Sequence, residues 1–110
     1  MNKFEKDVLD WVAEHSDCAE LAAQIGAASL KKRDFMGTGC FLYLEVPDDM
    51  PPISADVKPV CPRVNSTMLM DGAGCSLFLR SGKLHYLEVY ARGGFMPEDL
   101  QEWQLVAESE

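Results

Sequence analysis

The sequence predicts an α+β fold in one domain, residues 1–110, with two N-terminal helices packed on one face of a mostly antiparallel sheet of five or six strands. Three observations predict it. Apolar residues between Phe4 and Ile25 recur at helical spacing. From Ala27 onward the apolar runs are short, rich in leucine, β-branched and aromatic residues, and separated by glycine and proline. Gly72 to Tyr90 reads as a hairpin closed by Ser81-Gly82. Helices and strands segregated along a chain indicate α+β, not the alternation of a parallel sheet.

The first helix opens at Asn2, with Glu5 placed as the third helical residue of a capping box. Phe4, Val8, Trp11, Val12 and His15 then form one stripe, and His15 is expected to be partly buried near the helix end. Asp10 and Glu14 lie off that stripe, on an acidic exposed side. Asp17 and Glu20 repeat the cap spacing for a second helix, with Gly26 as its C-cap. Residues Ala27 to Phe35 read as an edge strand, because Lys31, Lys32 and Arg33 discourage pairing at an open edge.

Gly37-Thr38-Gly39-Cys40-Phe41-Leu42-Tyr43-Leu44 begins a second strand and is echoed by Gly72-Ala73-Gly74-Cys75-Ser76-Leu77-Phe78-Leu79. Neither copy leads into a helix, as a phosphate-cradling loop must, so the glycines are read as structural. Between the copies, Pro47 to Pro62 holds five of the six prolines together with Asp48, Asp49 and Asp56. Proline at that density forbids a central strand, leaving a stiff surface loop that is either functional or a plain connector. Arg63 to Met70 reads as a third strand, Pro97 to Leu100 as a short helical turn, and Trp103 to Ala107 as a closing strand.

In the hairpin, pairing Arg80 with Lys83 across a two-residue turn sets Leu79 against Leu84, Leu77 against Tyr86 and Cys75 against Glu88. That register collects Leu77, Leu79, Leu84 and Tyr86 on the core face. Glu88 then becomes a candidate buried carboxylate, needing Arg92, Arg63 or a strand-end amide as its partner. A structural ion pair is preferred to a general acid or base at this position. A Cys-His nucleophile fails on parity, since Cys75 and His85 fall on opposite faces.

A net charge of −8 argues against nucleic-acid phosphates and anionic membrane surfaces as partners, and suits a basic protein. No apolar run approaches the roughly 20 residues of a membrane span, and the N-terminus lacks the apolar centre of a signal peptide, so a cytoplasmic location is expected. Cys18, Cys40, Cys61 and Cys75 are then free thiols. Their spacing, with His15 and His85, follows no metal-ligand pattern, and no cofactor is expected. None of the common hydrolase, metalloprotease, nucleotide-loop or calcium-loop motifs occurs, so no enzymatic activity is expected.

Three segments carry a resemblance. Arg33 to Gly39 has the pattern R-x-F-x-G-x-G, Gly72 to Leu79 is G-A-G-x-x-L-F-L, and Gly82 to Tyr90 is G-x-L-x-x-L-E-x-Y. Together they resemble a family of small bacterial immunity-like proteins associated with polymorphic toxins. Met36 stands where that pattern has threonine, and cysteines follow both Gly-x-Gly pairs. The resemblance implies no catalytic residues; it implies an intracellular protein that binds and neutralises a cognate, basic toxin domain. Asp10, Glu14, Asp48, Asp49 and Asp56, with the acidic segment from Glu98 onward, are the expected partner-binding residues. The alternative is a homodimeric structural or small-ligand-binding module without catalytic activity.

Overall fold

The computed structural model describes residues 1–108 and has the expected α+β architecture. Helices α1 (Lys3–Glu14) and α2 (Ala19–Ala27) precede strands β1 (Ser29–Phe35), β2 (Gly39–Glu45), β3 (Arg63–Asn65), β4 (Ala73–Arg80), β5 (Lys83–Ala91) and β6 (Gln104–Val106). The strands form one antiparallel sheet of order β1-β2-β5-β4-β3-β6, which places β1 at an edge. Pro97 to Leu100 bends without making the expected helical turn, and the third strand is only three residues long.

The capping box forms as its spacing requires. The Asn2 side chain accepts from the Glu5 N–H at 2.8 Å, and the Glu5 carboxylate accepts from the Asn2 N–H at 2.9 Å. Phe4, Val8, Leu9 and Val12 are buried against the sheet. His15 is exposed, not partly buried: it stacks on Trp11 at 3.7 Å, with Nδ1 2.8 Å from the Trp11 carbonyl oxygen. At the second helix, Cys18 and not Asp17 is the N-cap, and the helix continues through Gly26 to Ala27.

The hairpin turn is the predicted two-residue one. Ser81 and Gly82 have φ of 52° and 79°, the two positive values of a type I′ turn, and Arg80 pairs with Lys83. Beyond Leu79–Leu84 the register departs from the regular one, because a bulge intervenes before Phe78 pairs with Tyr86. Leu77 therefore faces Leu87, Ser76 faces Glu88, and Cys75 faces Val89. The reason lies in β5, whose apolar residues fall on two parities, Leu84 on one and Leu87 with Val89 on the other. A regular strand would bury Leu84 together with Glu88. Making His85 the extra residue buries Leu84, Leu87 and Val89 together and turns Glu88 outward. Glu88 is thus half-buried on the outer face, not in the core, and Tyr86 is there with it.

The echoed Gly-x-Gly pairs also find a common cause. β2 and β4 flank β5, and Gly39 and Gly74 both pair with Tyr90. A methyl group on Gly39 would stand 2.6 Å from the Val89 carbonyl oxygen and 3.1 Å from the Tyr90 Cα, whereas one on Gly74 would meet the Tyr90 ring. Gly39→Ala is therefore expected to cost about 1–3 kcal/mol, because backbone must move. The cost of Gly74→Ala should shrink in a Tyr90→Ala background, since a ring can be removed. Denaturant melts of the two double-mutant cycles check this, and equal relief at both glycines would refute it.

Pro47 to Pro62 crosses the fold from β2 to β3 and is tied down along the way. Ile53 is buried in the core, and its N–H donates to the Gly82 carbonyl at 2.8 Å.

Candidate partner-binding surface

Two polar side chains are buried among the described residues, Glu5 and Gln24, and both are structural. The Arg33 guanidinium donates to Glu5 through Nε at 2.8 Å and Nη2 at 2.7 Å, a two-point fork fastening the edge strand β1 to the start of α1. The hydrogen bond to the Glu5 carboxylate raises the Arg33 pKa. In the sequence Arg33 stands with the edge lysines; in the fold its role is this ion pair. Gln24 is fully buried, and its Nε2 donates to the carbonyls of Pro51 and Gly82, both at 2.9 Å. Its Oε1 accepts from the Leu84 N–H at 3.0 Å. One amide thus joins α2, the proline-rich loop and the hairpin turn.

The outer face of the sheet carries the aromatic residues. Alternation on β2 sends Leu42 and Leu44 inward and Phe41 and Tyr43 outward, while on β5 and β4 it sends Tyr86, Tyr90 and Phe78 outward. Phe78 and Tyr86 stack at 4.5 Å, and Phe41 and Tyr43 each approach Tyr86 at 5.6 Å. Lys32 lies over the Tyr43 ring at 5.8 Å and pairs with Asp34 at 3.4 Å. Both described helices pack on the other face, so Phe78 remains 40% exposed and Tyr90 36%. Glu88 sits in the middle of this surface, with Phe41 and Ser76 as its cross-strand neighbours. Sequence reasoning missed this face because it assigned Tyr86 to the core. The signal was present in the two-residue spacing of Tyr86, Glu88 and Tyr90.

The acidic residues expected to bind a partner divide into two neighbourhoods. Asp10 and Glu14 are exposed and border a groove between α1 and β6, lined also by Asp7, Trp11, Trp103 and Leu105. Trp103 Nε1 donates to Asp7 at 3.1 Å, and Lys3 pairs with Asp7 at 3.5 Å while lying 5.9 Å from the Trp103 ring centre. Asp48, Asp49 and Asp56 are exposed on the proline-rich loop, beside the hairpin turn. Asp48 pairs with Lys83 at 3.3 Å, and a hydrogen bond from Ser54 holds the Asp56 carboxyl below its ordinary pKa. Of the acidic C-terminal segment, Glu110 lies outside the described residues.

All four cysteines are free. Burial pushes the Cys61 thiol up to about 11 and raises Cys75 further, so both stay protonated at neutral pH and are poor nucleophiles. Among the described residues no group of three or more His, Cys, Asp or Glu side chains could hold a metal ion. A cleft of about 160 Å³ opens beside Glu5 and Arg33, between α1, β1 and Met96. No helix of the described residues is long and apolar enough to cross a membrane. In comparisons with family models, curated proteins and solved structures, the chain has no match.

Proposed function

We propose that this chain is an immunity-type binding protein that neutralises a cognate, basic bacterial toxin domain inside the producing cell by covering part of its surface, without chemistry of its own. The observation that carries the reading is the uncovered sheet face, where Phe41, Tyr43, Phe78, Tyr86 and Tyr90 surround Glu88. Exposed tyrosine and phenylalanine on a rigid sheet are the material of interface hot spots. A single carboxylate among rings suits an arginine or lysine from the partner, which gains an ion pair and ring contacts together. The net charge of −8 supplies a long-range field that speeds encounter with a basic protein. The acidic groove beside Trp103 and the acids of the proline-rich loop supply further rim charges.

The test is co-production with the toxin domain encoded by the neighbouring reading frame. Wild type is expected to protect the cells. Phe78→Ala with Glu88→Arg should weaken the complex by about 2 kcal/mol or more, mainly through faster dissociation. Charge reversal at Asp10 and Glu14, or at Asp48 and Asp49, should mainly slow association, and more so at low salt. Absence of a neighbouring toxin, or full protection by every folded variant, would overturn the reading. The same open face supports one other reading, a homodimeric module closing face to face. That reading predicts a doubled mass in solution that returns to the monomer value with Phe78→Ala and Glu88→Arg.

A further inference from the structure

Three loops meet at the end of the sheet where Tyr90 lies. They are the β1–β2 turn (36–38), the β3–β4 loop (66–72) and the β5–β6 loop (92–103). Backbone bonds lock them together: Met96 N–H donates to Gly37 at 2.8 Å, Ala91 N–H to Thr38 at 2.8 Å, and Arg92 N–H to Gly72 at 3.0 Å. Glu102 adds a side-chain tie, accepting from Ser66 Oγ at 2.6 Å and the Thr67 N–H at 2.7 Å. Gly37, Gly72 and Gly94 turn the chain with φ of 79°, 69° and 72°, values that other residues adopt only under strain.

These pinned loops present Met70, Phe95 and Met36, at 82%, 80% and 62% exposure the three most exposed large apolar side chains of the described residues. A methyl group on Gly94 would lie 3.6 Å from the end of Met70, and Gly37 is bonded to Met96, the residue after Phe95, so the three share one end of the molecule. Exposed apolar residues scattered singly need no explanation. Here the three most exposed ones converge on loops that are themselves well tied, and the core gains almost nothing from them. Around them the charge is acidic. Asp71 is 72% exposed, Glu98 and Asp99 are exposed, and the nearby Arg92 and Arg63 are engaged by Glu108 and by Asp71 with Asn65.

We propose that this loop end is a docking knob whose occupant is a basic protein: Phe95, Met70 and Met36 enter an apolar pocket, and lysines or arginines around that pocket meet Glu98 and Asp99. The rim selects the occupant. A second copy would bring like charges together, and an anionic lipid surface would repel the same two carboxylates. Methionine beside phenylalanine adapts its shape to an apolar pocket, which suits a knob. The proposal rests on the reading of the chain as a binder of a basic protein and adds a second contact surface, bordering the aromatic face at Tyr90.

The experiment places the photoreactive residue p-benzoylphenylalanine at position 95, and separately at position 78, in the full chain in its producing cell. The expected result is a light-dependent adduct at position 95 with a basic protein. That protein, once purified, should bind wild type and bind Phe95→Ser with Met70→Ser at least about 30-fold more weakly, at unchanged melting temperature. Raising the salt should slow association with wild type. Adducts at position 78 but none at 95, adducts at 95 only with a second copy or with lipid, or unchanged affinity of the double variant, would overturn the knob. The binding-protein reading survives the first and last of these. No adduct at either position overturns both. A basic partner that is no toxin leaves the knob standing and removes only the immunity reading.

Discussion

Gln24→Leu is expected to lower stability by about 2–4 kcal/mol, although leucine matches glutamine in size and suits the surrounding core. The amide side chain accepts from the Leu84 N–H and donates to the Pro51 and Gly82 carbonyls. Gly82 keeps a second partner in the Ile53 N–H and Pro51 is an exposed residue, but the Leu84 N–H loses its partner in a buried setting. Each buried polar group left unpaired costs roughly 1–3 kcal/mol, and the three elements joined by the amide are also released from one another. Urea unfolding of the purified variant measures the loss. A change below about 1 kcal/mol would mean that the proline-rich loop and hairpin turn hold their places without the amide.

Leu77→Ala and Leu87→Ala are each expected to cost about 2–5 kcal/mol, the range for emptying a leucine site in a packed core. Both residues are buried, and they face one another across β4 and β5 because of the bulge. Leu84→Ala belongs to the same class, since the bulge keeps it on the core face. Glu88→Gln separates this register from a regular one. On the outer face it should change stability by less than about 0.5 kcal/mol, the usual range for a surface site. In a regular hairpin Glu88 would sit in the core and Leu87 on the surface, so a large effect at Glu88 with a small one at Leu87 would refute the bulged arrangement. Chemical denaturation of the four variants decides it.

Much of the architecture was legible in the residues because the signals were local. Asn2 with Glu5 specifies a helix start through bonds three residues apart, and Ser81-Gly82 specifies a turn through its own backbone angles. The order of helices and strands along the chain follows from periodicity alone, and so does the α+β class. What the sequence by itself could not decide was long-range. The bulge at His85 is chosen by the need to bury Leu84, Leu87 and Val89 against helices that lie far away in the chain. Parity within one hairpin therefore placed Tyr86 and Glu88 on the wrong face. Glu5 meets Arg33 across 28 residues and Gln24 meets Leu84 across 60, so neither polar residue could be distinguished from an exposed one before the chain was folded. The same holds for the candidate surfaces. Asp10 and Glu14 gain Trp103 as a neighbour, the outer aromatic residues gain one another, and Met36, Met70 and Phe95 meet at one end, only because strand order brings distant segments side by side. Spacing within one element sets which residues share a face, whereas tertiary packing decides which face meets water.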